Sequence, residues 1–247
     1  MKVVILAAGR GKRMGEFTEE KTKAMLPIYS FTDTSTNPNQ KKPMLQITIE
    51  QFVACGLNDF IIVVGYRKED ILDYFGDGSR FGATIKYVTQ ENVCAGTANA
   101  VECSKQIFKN ERGETFFLVY GDVVPTKNDI LNIALRHQAS FQNIGVMAVR
   151  TVDDPQRYGV VEKDEDDNIT RIVEKSMNPP TNLINAGIYI LPTKIFEHIE
   201  KTKLSERGEY ELTDSIQQLI NCGTQVKTCE VSGLKDIGTK QIYETYS

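Results

Sequence analysis

Four short runs of β-branched and aromatic residues, Val3 to Leu6, Asp59 to Val64, Ile85 to Val88 and Phe116 to Tyr120, recur through the first half of the chain without polar alternation. Strands covered on both faces read this way, whereas strands with one wet face alternate. Helix-like stretches lie around Leu45 to Cys55, Lys68 to Phe75, Gly96 to Phe108 and Lys127 to Gln142. The last is preceded by Thr126 and, three residues on, Asp129, which can satisfy exposed amides at a helix start. Repeated strand-helix alternation requires crossovers, and their usual right-handedness gives an α/β fold with a mainly parallel sheet.

The second half changes character. Tyr158 to Glu162 and Ile169 to Glu174 flank the acidic turn Asp164-Glu165-Asp166-Asp167-Asn168, which reads as a hairpin with a solvated tip in preference to a metal site. A strand from Leu183 to Leu191 follows, then helices near Ile195 to Glu200 and Glu211 to Cys222, a strand from Gln225 to Val231 and a closing helix. No linker separates the halves. The 247 residues therefore suit one domain, 1–247. Ser30 to Lys41 is polar throughout except for Phe31, cannot offset its ordering entropy by burial, and is expected to form an exposed mobile loop.

Composition excludes several classes. Hydrophobic residues make up 40% and charged residues 25%, enough to bury a core without disulfides or a structural metal. The net charge of -4 and the lack of a long basic block argue against a nucleic-acid or anionic-membrane binder. Five scattered cysteines, none in a C-x-x-C pair, read as reduced thiols. No apolar run approaches the roughly 18 residues of a membrane span, so a soluble cytoplasmic protein is expected. The two histidines, His137 and His198, fall in helical stretches and are expected at the surface. That disfavours a His-based zinc site or a Ser-His-Asp hydrolase.

The first strand runs into Leu6-Ala7-Ala8-Gly9-Arg10-Gly11-Lys12-Arg13-Met14. A glycine-rich turn at a strand's carboxyl end, backed by cations, offers amides and positive charge to phosphate oxygens. The dinucleotide pattern fails because Met14 stands where the third glycine belongs, and the P-loop pattern fails because no Gly-Lys-Ser/Thr follows. A plain tight turn with surface cations is the alternative, and three cations within four residues tilt the choice towards phosphate. Lys23 and Lys42 add positive charge downstream, although each alone reads as a solvated lysine. Asp122, in Tyr120-Gly121-Asp122, ends the fourth strand and is either a helix cap or a ligand at the sheet edge where α/β proteins bind. Gly96-Thr97 reads as a helix entrance with Thr as the cap. Glu174-Lys175 reads as an exposed ion pair at a strand end.

Together, Leu6 to Met14, Lys23-Ala24-Met25-Leu26-Pro27 and Lys42-Pro43-Met44-Leu45 resemble the signature of sugar-1-phosphate nucleotidyltransferases of the hexose-1-phosphate uridylyl- and thymidylyltransferase type. The resemblance extends over almost the whole chain. It implies a Rossmann-like three-layer core with an inserted β-rich sugar-binding region, the nucleotide-binding half at about 1–125 and the sugar-binding half at about 126–247. It implies nucleotide contacts from Leu6, Ala8, Gly9, Gly11, Lys12, Arg13, Gln90, Gly96 and Thr97. Sugar contacts would come from Tyr158, Gly159, Glu174, Lys175 and Asn185. Metal ligation of Mg²⁺ would come from Asp122 and Asp236, although Lys235 stands where relatives carry a larger residue. Arg207 to Asp214 would shape the sugar pocket or start a helix, and Ser176 and Met177 interrupt the Glu-Lys-Pro motif.

The implied reaction is attack of a hexose 1-phosphate oxygen on the α-phosphorus of a nucleoside triphosphate, with release of pyrophosphate. Arg13, Lys23, Asp122 and Lys175 would be the catalytic groups, acting by positioning and charge neutralisation. UTP and glucose 1-phosphate are favoured as partners because Gly96-Thr97 is closer to uridylyltransferase-like sequences. The alternatives are a dTTP-dependent thymidylyltransferase, an N-acetylglucosamine-1-phosphate uridylyltransferase and a non-catalytic nucleotide-sugar-binding regulator. A homo-oligomer is allowed. The length further implies a catalytic domain without the C-terminal acyltransferase β-helix of some relatives. The Ser30 to Lys41 stretch has no counterpart in the pattern and leaves the role of Lys42 open.

Overall fold

Val3, Val4 and Ile5 are fully shielded from solvent in the first strand, as the unbroken apolar run requires. The structure, a computed structural model, describes residues 1–30, 40–111, 113–140 and 144–247. Most of the Ser30 to Lys41 expectation thus lies outside the described residues. The elements in chain order are β1 Val3–Leu6, β2 Pro27–Tyr29, β3 Lys41–Pro43, α1 Met44–Val53, β4 Asp59–Val64, α2 Lys68–Phe75, β5 Thr84–Thr89, α3 Thr97–Glu102, β6 Thr115–Tyr120 and β7 Val123–Val124. They continue with α4 Lys127–Gln138, β8 Gly145–Thr151, β9 Gly159–Lys163, β10 Ile169–Glu174, β11 Leu183–Pro192, α5 Ile195–Ile199, α6 Leu212–Asn221, β12 Val226–Glu230, β13 Lys235–Asp236 and α7 Lys240–Glu244.

The described residues gather into two compact units, the first made of Met1–Cys94, Val119–Leu131 and Gly233–Ser247, the second of Ala95–Leu118 and Asn132–Ser232. In the first, strand order runs from the end of β6 through β1 and β4 to β5, and β1-β4 and β4-β5 are parallel as expected. Two small antiparallel ladders, β2-β3 and β7-β13, accompany this sheet. Met14, Leu26, Ile28, Met44, Ile47, Val124, Ile237 and Tyr243 pack into one core cluster. Met14 explains itself here: the residue that breaks the dinucleotide pattern is a buried anchor that ties the glycine-rich turn to the core, and such burial contributes roughly 1.5–3 kcal/mol.

The second unit carries the antiparallel character of the second half. β9 pairs antiparallel with β10, and β11 pairs antiparallel with both β8 and β9, while β12 runs parallel to β8. The hairpin on the acidic turn is present. Its carboxylates are used internally: Asp164 accepts from the Asp166 and Asn168 amides, and Asp167 pairs with Arg136 and Lys163.

Two expectations about the fold need correction, and one strand was not expected. His198 is buried in α5, where burial together with Lys194 and Lys201 lowers its pKa, and His137 is half-buried. The stretch Gly96 to Phe108 is not one helix, because Ser104 turns back to the Val101 carbonyl and a 3-10 turn, Lys105–Phe108, follows. Strand β8 did not emerge from the sequence pattern at all. Among the described residues no helix is long and apolar enough to cross a membrane, and the five cysteines are free thiols.

Candidate functional site

The first unit collects the phosphate-type groups. Strand β1 ends at Leu6, the Ala7 amide donates to the Val63 carbonyl at 2.8 Å, and Ala7 and Ala8 stay buried, so the chain emerges only at Gly9 and Arg10. Gly11 takes φ 63°, ψ 33°, a left-handed geometry that disfavours side chains, and a Cβ there would stand 3.0 Å from Lys23 Cβ. The turn can therefore lie against the Lys23 limb. Lys12 and Arg13 are exposed on the 3-10 turn that follows.

Lys23 is the centre of this arrangement. Its Nζ lies 2.7 Å from Asp122 Oδ2, with side-chain exposures of 10% and 24%. Burial works against the Asp122 carboxylate, but the Lys23 ammonium and the Arg13 guanidinium outweigh it and hold the group below its usual range. Gly121 brings Asp122 to the end of β1. Its amide donates to the Leu6 carbonyl at 2.9 Å, and a Cβ would sit only 2.6 Å from that oxygen. Asp236 arrives on β13, where it faces Val123 in register, and the Ile237 amide donates to the Asp122 carbonyl at 2.9 Å. A Cβ on Gly238 would meet Asp236 Oδ1 at 3.1 Å and the Arg13 guanidinium at 3.8 Å, so these two groups flank the same glycine. Gln90 is buried just past β5, its amide donating to the Val64 carbonyl.

Lys42 has a different occupation. Its Nζ donates to both oxygens of Glu50 at 2.9 Å, and Glu50 also accepts from Gln46.

The second unit holds the other candidates. Gly159 faces Glu174 across the hairpin, and a Cβ at Gly159 would come within 2.8 Å of Glu174 Oε2. The glycine is needed so that this carboxylate can lie over it. Glu174 accepts the Thr213 hydroxyl at 3.0 Å, with Lys175 Nζ at 3.4 Å and Arg207 at 3.9 Å. Arg207 also pairs with Glu211, whose side chain is 5% exposed. Lys175 adopts φ 44°, a strained conformation for a residue with a Cβ, while its amide donates to the Tyr158 carbonyl. Asn185 sits beside a register shift in β11; its Nδ2 donates to the Tyr189 hydroxyl at 2.5 Å and its Oδ1 accepts from Gly187.

Thr97 departs from expectation, because its hydroxyl accepts the Leu212 amide and serves the start of α6, not of its own helix. Gly96, φ 97°, lets the Tyr210 backbone approach within 2.5 Å of where a Cβ would stand. Thr213 was not singled out in sequence, although the Arg207 to Asp214 motif that contains it was.

The sequence model of the family described as Nucleotidyl transferase matches residues 2–247. The chain belongs to the nucleotidyl transferase family. Among curated nucleotidyl transferase relatives, the bifunctional protein GlmU of Methanocaldococcus jannaschii is 38% identical over 239 residues, 96% of this chain and 51% of that one. The UTP–glucose-1-phosphate uridylyltransferase AglF of Haloferax volcanii is 32% identical over 241 residues, 96% of this chain and 91% of that one. A solved structure of a candidate glucose-1-phosphate thymidylyltransferase from Bacillus anthracis, in complex with a sucrose, matches with a TM-score of 0.83 at 26% identity, covering 99% of this chain and 93% of that one. This nucleotidyl transferase chain spans about half the length of several curated relatives it matches.

Proposed function

We propose that the chain transfers a nucleotidyl group from a nucleoside triphosphate, with UTP favoured, to a sugar 1-phosphate, with glucose 1-phosphate favoured, and releases pyrophosphate. The observation that carries this reading is the convergence of Lys23, Asp122, Asp236 and Arg13 beside a glycine-rich turn at the ends of β1 and β6. The name of the Haloferax relative supports the choice of UTP and glucose 1-phosphate.

In this reading Arg13 and the Gly9 and Gly11 amides neutralise the leaving pyrophosphate, while Lys23 moves its charge from Asp122 to the α-phosphate. Lys175 holds the sugar phosphate as a point charge and Glu174 accepts hydrogen bonds from sugar hydroxyls. No nucleophilic side chain is required, so the reaction is a direct displacement in which fixed charges do the catalytic work.

The donor set fits Mg²⁺. That ion takes one or two carboxylates and completes its shell with phosphate oxygens and water; Asp122 offers hard oxygens one residue before β7, and Asp236 offers them on β13, the strand that pairs with β7. When bound, Mg²⁺ would neutralise negative charge on the triphosphate.

A panel of triphosphates against sugar 1-phosphates, read as pyrophosphate with and without Mg²⁺, tests the proposal. UTP with glucose 1-phosphate should give the fastest Mg²⁺-dependent release. Release that ignores the sugar phosphate, or binding of nucleotide sugar with no turnover on any pair, would overturn it.

A further inference from the structure

We infer that Asp70 and Arg67 are positioning residues that hold the Lys23 limb of the glycine-rich turn for nucleotidyl transfer, an inference that rests on the function proposed above. Lys23 stands on a 3-10 turn of three residues, Lys23–Met25, with no side-chain hydrogen bond at its entrance. Thr22 at that entrance is fully buried, and its hydroxyl has no hydrogen-bond partner among the described residues. The entrance of the turn is therefore not capped by a side chain of its own, although Lys23 further on is paired with Asp122. Its support comes from a segment 48 residues away, where Asp70 Oδ2 accepts the Thr22 amide at 3.0 Å.

The same oxygen accepts Arg67 Nε at 3.1 Å, and Arg67 Nη1 donates to the Glu19 carbonyl at 3.3 Å. Tyr66 donates its hydroxyl to the Thr18 carbonyl at 3.2 Å. One short segment thus grips Thr18, Glu19 and Thr22, each through a backbone atom. The segment follows β4 and is laid against the turn at its base, where the Tyr66 amide donates to the Ala8 carbonyl at 3.0 Å. Gly65 permits this, since a Cβ there would come within 3.0 Å of that oxygen.

Backbone geometry points the same way. Arg67 has φ 49°, ψ 46°, a left-handed conformation that is costly for a residue with a Cβ. Such strain persists where surrounding contacts over-determine it, and it clusters where geometry serves function. An ordinary role for Asp70, as an acid in the first turn of α2, would explain a carboxylate there. It would explain neither the bond to Thr22 nor the strained arginine.

The brace matters because Lys23 must exchange Asp122 for a phosphate without losing its place. A misplacement of about 1 Å can cost on the order of a hundredfold in rate. Asp70→Ala should lower kcat about tenfold or more while the KM for the triphosphate changes less than about threefold, because ground-state contacts to the nucleotide stay intact. In a Lys23→Ala background the same substitution should cost little further, since residues that act as a unit are non-additive. Amide hydrogen exchange over residues 15–23, measured without substrate, should quicken in Asp70→Ala and return towards wild type in Asp70→Asn, which keeps an oxygen for Thr22.

Unchanged exchange over that segment in Asp70→Ala would overturn the inference whatever the enzyme does. So would quickened exchange with a normal kcat, or a full additional loss in the Lys23→Ala background. If wild-type protein releases pyrophosphate from no pair of substrates, the proposed function fails, and exchange still decides whether Asp70 holds the limb.

Discussion

Breaking the Lys23–Asp122 pair tests whether that contact is both a structural and a catalytic element. At 2.7 Å, two unit charges attract by roughly 6 kcal/mol at an effective dielectric of about 20, most of which offsets their desolvation. Removing one partner strands the other charge among side chains only 10% and 24% exposed, at a cost of about 3 kcal/mol, the low end for buried pairs because water still reaches Asp122 and Arg13 remains beside it. For a chain of 247 residues that corresponds to a fall in Tm of about 6–12 °C in Lys23→Met or Asp122→Leu. The double variant Lys23→Met/Asp122→Leu should regain most of this, because no charge is stranded, yet remain at least about a hundredfold slower in pyrophosphate release. Differential scanning calorimetry and a pyrophosphate assay on all four proteins complete the cycle. Purely additive Tm losses would refute the energetic coupling, and a double variant of near-normal turnover would refute the chemical role.

Other expectations follow from individual contacts. Met14→Ala should cost about 2–5 kcal/mol in urea unfolding, since the side chain is fully buried and its loss leaves a cavity under the glycine-rich turn. Gly121→Ala should destabilise markedly because its Cβ would meet the Leu6 carbonyl at 2.6 Å, whereas Gly9→Ala, with nothing within 4 Å, should stay within about 0.5 kcal/mol of wild type by the same measurement. Asp122 has a folded pKa below its ordinary 3.8, so its contribution to stability is present above that pH and is lost as pH falls through the lower folded value. Asp122→Asn should therefore show a shallower acid destabilisation than wild type in unfolding at pH 7 and pH 3. Gly159→Ala should raise the KM for the sugar phosphate without changing that for the triphosphate, because the new methyl group displaces Glu174.

Strands β1 and β4 were legible because strands packed on both faces must be apolar along their whole length, and they end where the pattern stops; β5 also ends within a residue of its pattern, but it closes the sheet with Thr84 and Lys86 exposed, so the both-faces reading does not hold for it. Strand β8 carries the same signal in Val146, Met147, Ala148 and Val149, all fully buried, but Met and Ala are as much at home in a helix, and an amphipathic stretch runs up to it. The β7-β13 ladder has two residues per strand, too short for any periodicity, so the adjacency of Asp236 and Asp122 was visible only through motif resemblance. The return of residues 233–247 to the first unit is a tertiary fact with no local signature. His198 misled because a five-residue helix shows no clear face. The brace at Arg67 and Asp70 was equally hidden, since its bonds run to backbone atoms and leave no mark on the residues they hold.

The most direct test of the central claim is ³¹P NMR of the purified chain with UTP, glucose 1-phosphate and Mg²⁺. Both substrates' phosphorus signals should decline together while a nucleotide-sugar diphosphate and pyrophosphate grow in equal amounts, and omitting either substrate should stop both. Conversion of UTP to UDP and inorganic phosphate at a rate indifferent to the sugar phosphate would contradict it.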